Sequence, residues 1–310
     1  KYMTFIAAVV QDSPVVFNLD KTIQKVENLT QKAANKNADL VVFPEAFISA
    51  YPKGLDFGAR IGMRSKKGRE MFAMYYNSAL DFESIYYKKL CHIAKKNKII
   101  ISIGVIEKDN GTLYCTVLMI SKKGEFIGKH RKVMPTAMER LVWGYGDGST
   151  MPVIDTPIGK IGSVICWENY MPLMRMAMYS KGIQLYCAPT ADDRETWIST
   201  MTHTALEGRC FVFSACQYLL REDCPDYYNP IQGNSKKTVL MNGGSCIISP
   251  LGEILAGPLR NKSGILTAEI DLNEIIKGQY DFDVKGHYSR PDIFKLFVNE
   301  KVNKATEYDN

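Results

Sequence analysis

The sequence is poor in the signals that announce a metal, a membrane or a nucleic acid. Its four histidines (92, 130, 203 and 287) contain no H-E-x-x-H, and its eight cysteines contain no C-x-x-C. Ligand spacing of the zinc kind is therefore missing, and no metal is expected. No run of about 18 apolar residues occurs, which excludes a transmembrane helix from the chain as given. A signal peptide is not legible in a segment that begins at Lys1. Linkers rich in glycine, serine or proline are missing too, as are internal repeats, so nothing divides the 310 residues into two domains. Net charge is only +6 and the lysines are scattered. The two clusters, Lys66-Lys67-Gly68-Arg69 and the stretch 122–132, read as solvated surface rather than a nucleic-acid face.

What is present is the mix of a folded globular protein: 46% hydrophobic and 23% charged residues. A chain this long and core-rich needs no disulfide framework, so a reducing, cytoplasmic setting is expected. Short apolar runs alternate with helix-like stretches throughout. Strands are expected at Phe5–Val10, Leu40–Phe43, Ile99–Ile106 and Leu113–Ile120, the last leading into a Lys123-Gly124 turn. Further strands follow at Ile161–Cys166, Leu185–Pro189, Cys210–Gln217, Ser245–Ser249 and Ile265–Ile270. Helices are expected near Lys21–Lys36, Glu83–Lys96, Met171–Ser180 (Pro172 in its first turn) and Trp197–Glu207, with a short one after Asp271. Such alternation predicts a single layered α/β domain.

Three reactive side chains fall at strand ends, where α/β folds place their chemistry. Val41-Val42-Phe43-Pro44 runs into the Glu45 carboxylate, and Ser163-Val164-Ile165 delivers the Cys166 thiol. Lys132 sits in His130-Arg131-Lys132-Val133-Met134-Pro135. Taken singly each has a plain reading: a core cysteine, a helix-capping glutamate and a surface lysine. As a set they cover nucleophile, base and electrostatic stabiliser, because a thiol needs a base or nearby positive charge to attack. Spacing alone does not bring them together.

At these residues the chain resembles the nitrilase superfamily, in its true nitrilase branch, from Phe5 to about Phe297. The blocks are Phe43-Pro44-Glu45-Ala46 with Tyr51-Pro52, and His130 through Thr136 continuing over Glu139-Arg140-Leu141-Val142-Trp143-Gly144. They continue with Cys166-Trp167-Glu168-Asn169-Tyr170, Ala188-Pro189-Thr190-Ala191-Asp192 and His203 through Gly208. Near the end come Asp281-Phe282-Asp283-Val284 and Gly286 through Asp292. The resemblance implies an α-β-β-α sandwich over residues 1–297, with a tail at 298–310, pairing into dimers or larger spirals. It implies Glu45 as general base, Lys132 as stabiliser of the tetrahedral species and Cys166 as nucleophile. Glu139 would orient Lys132 or the attacking water, and the Trp167 N–H would complete the anion site. A nitrile would pass through thioimidate and thioester to acid and ammonia, with no metal or organic cofactor. The expected partner is that small molecule and a second copy of the chain, with neither nucleic acid nor membrane.

Trp143, Trp167 and Tyr170 flank the blocks and are the candidates for the pocket wall. Asp192 and His203 are read as structural, and the loop Glu222–Lys237, with Tyr227 and Tyr228, borders either the site or an interface. Lys132→Ala is expected to strike chemistry rather than folding. Three alternatives stand beside a nitrilase: an amidase or carbamoylase, a nitrile or cyanide hydratase that stops at the amide, and a catalytically silent assembly module.

Overall fold

The computed structural model describes residues 4–306. Strand β1 (Thr4–Gln11) leads to α1 (Leu19–Ala34), which Asn18 caps by accepting from the Lys21 N–H at 3.0 Å, and then to β2 (Ala38–Val42). A small hairpin, β3 (Ala59–Arg60) and β4 (Met63–Arg64), precedes α2 (Lys66–Asn77) and α3 (Ile85–Asn97). An antiparallel meander follows: β5 (Ile100–Asp109), β6 (Thr112–Ile120) and β7 (Phe126–Arg131), then the single turn α4 (Glu139–Val142). The second half runs β8 (Val153–Thr156), β9 (Gly159–Ser163), a 3-10 turn at Cys166–Tyr170, α5 (Pro172–Ser180) and β10 (Leu185–Cys187). Then come α6 (Trp197–Gly208), β11 (Phe211–Ser214), β12 (Tyr218–Leu220) and β13 (Val239–Ile248). Finally β14 (Ile254–Arg260), β15 (Gly264–Asp271) and α7 (Asn273–Gln279) end the regular structure, and residues 280–306 carry neither helix nor strand.

The strands form two facing sheets. One has the order β15-β1-β2-β5-β6-β7, and the other β12-β13-β11-β10-β9-β8 with β14 beside β13. β15 belongs by sequence to the second half but pairs antiparallel with all of β1, from Thr4↔Asp271 to Gln11↔Gly264, and so ties the halves together.

Period-two alternation sorts the side chains into three cores. Ala7, Val9, Leu40 and Val42 point inward to meet Ile161, Leu185, Phe211 and Phe213 of the other sheet. Ala8, Val10, Val41 and Ile103 point outward onto Val26 and Leu29 of α1 and Leu90 and Ile93 of α3. On the far side Tyr186, Val212 and Ile248 pack on Met174 and Met178 of α5 and Met201 of α6. The result is an α-β-β-α sandwich, and its strands read as unbroken apolar runs because both faces are buried. Among the described residues no helix is long and apolar enough to cross a membrane.

Helices α2 and α4 and strands β3, β4, β8, β12 and β14 are additions to the sequence reading. Lys66-Lys67-Gly68-Arg69, read as surface charge, is the first turn of α2, which Ser65 caps from Gly68 N–H at 2.9 Å. Gly68 is there because a Cβ would stand 1.8 Å from the Phe57 carbonyl oxygen, a tertiary demand with no local signature. The strand expected up to Cys166 stops at Ser163, and the one expected over Cys210–Gln217 is only β11. Phe213, fully buried between the sheets, is the natural test of this core: Phe213→Ala should cost about 3–5 kcal/mol, read from the denaturant midpoint.

Candidate active site

Glu45 follows β2 on a loop stitched to β5. Phe43 N–H donates to Ser102 O at 2.8 Å, Ile48 N–H to Gly104 O at 3.1 Å and Ile106 N–H to Ile48 O at 3.0 Å. The loop lies so close to β5 that a Cβ on Gly104 would meet the Pro44 carbonyl oxygen at 2.2 Å. Lys132 follows β7, its N–H donating to Cys115 O at 2.8 Å and its carbonyl accepting from Gly146 N–H at 2.8 Å. Cys166 follows β9 at φ 49°, a strained value for a residue with a side chain.

Three buried charges meet end to end. Lys132 Nζ donates to Glu45 Oε1 and to Glu139 Oε2, both at 2.7 Å. Glu139 is held by Tyr51 Oη at 2.7 Å and by Thr136 N–H at 2.6 Å. The Cys115 thiol adds a contact to Glu45 Oε1 at 3.5 Å, while Glu45 Oε2 is buried with no hydrogen-bond partner among the described residues. Behind the lysine stands Trp143, its ring centroid 5.5 Å from Nζ.

The electrostatics follow from burial. Desolvation pushes the Glu45 carboxyl up against the pull of Lys132, and the charge of Glu139 adds to the rise. Burial by itself disfavours the Lys132 cation, yet Glu45, Cys166 and Glu139 override it and hold the ammonium well above its usual range. The Cys166 thiol is pushed up to about 12, first by burial and then by Glu45, against the opposing effects of Lys132 and of the Thr190 hydroxyl. Thr190 Oγ1 lies 3.1 Å from the sulfur. Cys166 thus rests as a neutral thiol near a carboxyl with one oxygen that has no partner among the described residues. No ultraviolet thiolate signal should separate the protein from Cys166→Ala below about pH 9; a signal at neutral pH would refute this resting state.

The elbow is braced by the residues that follow the cysteine. Glu168 Oε2 accepts from Ile165 N–H and faces His130 Nε2, both at 2.8 Å, and Oε1 accepts from Val133 N–H at 2.5 Å. It therefore bolts the cysteine loop to the lysine loop. Asn169 Nδ2 donates to Cys166 O at 2.8 Å and Val164 O at 3.1 Å, and Tyr186 fixes its amide oxygen at 2.9 Å.

A cavity of about 250 Å³ opens onto this floor, lined by Cys166, Glu139, Trp167, Tyr51, Lys53 and Asp192, among others. Glu45 and Lys132 lie beneath it, fully buried. Of the three aromatic candidates only Trp167 lines this cavity, its Nε1 donating to Asp192 Oδ2 at 2.8 Å. Trp143 is enclosed instead, donating to Tyr75 Oη at 3.2 Å and meeting the Tyr51 ring edge-on at 5.7 Å. Tyr170 stands outside, edge-on to Trp167 and Trp197 at 5.7 and 6.0 Å. Asp192 anchors Trp167 and Arg194, while His203 is exposed, 3.5 Å from Glu207. The loop Glu222–Lys237 backs the site: Tyr228 is buried, its hydroxyl donating to Lys53 O at 2.7 Å, and Ile231 N–H donates to Gly54 O at 3.0 Å. Tyr51, Cys115, Thr190 and the His130–Glu168 pair went unassigned in the sequence. Tyr51 and Thr190 were visible only as members of motif blocks, and Cys115 only as one apolar position of a strand.

Lys132 between two buried carboxylates also revises one expectation. Removing it leaves both acids uncompensated, so Lys132→Ala should also cost about 3–5 kcal/mol of stability and not act on turnover alone. The His130–Glu168 pair carries a pH signature. Both ring nitrogens face acceptors, Thr150 O at 2.7 Å and Glu168, which overcomes burial and raises the imidazole; burial alone would raise Glu168, but His130 and two backbone N–H groups hold it low. The raised histidine stabilises the fold fully below about pH 6.5 and loses that contribution as pH climbs through its folded value. The depressed glutamate contributes fully above about pH 4.3 and loses it as pH falls through its own. His130→Gln should therefore be most destabilising near pH 5–6, its penalty shrinking at higher pH in denaturation curves; a penalty flat across that range would refute the ion pair.

Comparison with known proteins bears on the whole chain. A family model described as carbon–nitrogen hydrolase matches residues 6–280. A nitrilase of Bradyrhizobium diazoefficiens is 53% identical over 302 residues, 97% of this chain and 94% of its own. A bifunctional nitrilase/nitrile hydratase of Nicotiana tabacum is 50% identical over 298 residues, 95% of this chain and 86% of its own. The crystal structure of a carbon–nitrogen hydrolase from Helicobacter pylori shares the fold with a TM-score of 0.76 at 20% identity, covering 94% of this chain and 97% of that one. The sandwich, the match across residues 6–280 and relatives at half identity over nearly the full length make this chain a member of the carbon–nitrogen hydrolase family.

Proposed function

We propose that the protein hydrolyses an organic nitrile to its carboxylic acid and ammonia, with Cys166 as the nucleophile. The observation that carries this reading is the unpartnered Glu45 Oε2, an open proton acceptor next to a thiol that is neutral at rest. In the first step the sulfur adds to the nitrile carbon while its proton passes to Glu45, so attack and deprotonation are coupled. Charge appearing on the nitrile nitrogen faces Lys132 and the Trp167 N–H, and protonation there completes the thioimidate. One water adds to give a tetrahedral species, ammonia departs and a thioester is left. A second water, deprotonated by Glu45, releases the acid and returns the thiol. Glu139, tied to Tyr51 and Thr136, keeps Lys132 aimed.

The tobacco relative's two named activities support a second outcome at the same site. If the tetrahedral species expels sulfur rather than ammonia, the amide is released. Eight free cysteines support a reducing, cytoplasmic setting, and exposed Tyr288, Phe294 and Phe297 in the C-terminal segment support a homo-oligomer.

Wild-type protein given a panel of nitriles and matching amides should release ammonia from nitriles, and Cys166→Ala should release none. Ammonia from amides alone would place the protein among amidases, and accumulation of amide would make it a hydratase. Glu45→Gln keeps the shape and one partner for Lys132, so it should stay folded by circular dichroism while turnover falls about 10²–10⁴-fold; wild-type turnover would remove Glu45 from the mechanism.

A further inference from the structure

The cavity above Cys166 continues into a second one of about 270 Å³, and the two share Tyr51, Lys53, Thr136 and Glu139 as walls. Their remaining walls differ in kind. The first adds Asp192, Asp193 and Arg194, charges already satisfied by one another: Arg194 pairs with Asp192 at 2.5 Å, and Lys53 with Asp193 at 3.7 Å. The second adds Leu55, Phe57, Met138, Leu141 and Val142, with Asp56 and Gln232 as its added polar side chains. Phe57 and Val142 are buried and form its floor, whereas Met138 and Leu141 are 52% and 41% exposed and form its rim.

We propose that the second cavity is a subsite for the apolar substituent of the nitrile, and that the preferred substrates carry an elongated alkyl or arylalkyl chain. This deepens the nitrilase reading and rests on it for the position of the reacting carbon. With that carbon at Cys166, a chain directed toward the mouth would lie against paired charges and strip them of water. Directed past Thr136 it enters a chamber where Leu55, Phe57, Met138, Leu141 and Val142 can cover it, and where Asp56 and Gln232 are the polar side chains added to the shared walls. Transfer of each methylene from water to such walls improves binding about fourfold. Because the rim is open, the gain ends once the chain passes Leu141 and reaches solvent.

The test is a series of linear nitriles of increasing length, read as kcat/KM for ammonia release by the wild type. In parallel, calorimetry reads their affinity for Cys166→Ala, where turnover is absent. Both should rise about fourfold per methylene and then level off. Leu141→Trp, which narrows the rim, should level the series at a shorter chain. Met138→Trp, three residues before Leu141 on the same turn, should do the same. A series that is flat or falls with length, or one that neither variant shortens, overturns the subsite. If no nitrile yields ammonia while affinity still rises with length and drops in the tryptophan variants, the hydrolytic reading fails and the subsite stands.

Discussion

One ammonium holds the site together. Lys132 lies out of solvent with carboxylates at 2.7 Å on both sides, and each of the three groups would be intolerable there alone. Glu45 and Glu139 compensate the lysine, and the lysine keeps the two acids from repelling one another. Tyr51 and the Thr136 N–H saturate the outer carboxylate, so of the four oxygens of Glu45 and Glu139 the one without a partner among the described residues is Oε2 of Glu45. That leaves these two carboxylates with one open acceptor.

That network is contributed by one sheet, and the Cys166 thiol by the other. Glu45 and Lys132 follow β2 and β7, and Cys166 follows β9 across the interface. Packing of Val9, Val42 and Leu40 against Ile161, Leu185 and Phe213 sets the separation of the sheets. Glu168 then fixes their offset at the site by bonding Ile165 and Val133 at once. The strained φ of Cys166 persists because Asn169, Pro189 and Glu168 over-determine the turn.

Burial has a chemical consequence beyond stability. The low-polarity floor that strengthens the Lys132 pairs also denies the thiol its charged form at rest, which in the proposed reaction couples loss of its proton to attack. Charge gathers at the mouth, where Arg194 reaches water and covers the buried Asp192, while the adjoining chamber adds mainly apolar side chains.

Much of this was legible in the chain. Short unbroken apolar runs and the helix-like stretches between them pointed to a layered α/β domain, because two-sided burial forces strands to be apolar throughout. The placing of Glu45, Lys132 and Cys166 after such strands marked them as candidates. Tertiary structure decided what those residues touch. Glu45 and Lys132 are 87 positions apart, Tyr51 and Glu139 are 88, and Glu168 reaches 35 positions back to Val133. No local periodicity encodes such distances, so Cys115 looked like core, Trp143 looked like pocket wall, and α2 hid behind four residues read as surface. Residue type and spacing determine which chemistry is available, whereas burial and long-range hydrogen bonds determine which oxygen is left open to use it.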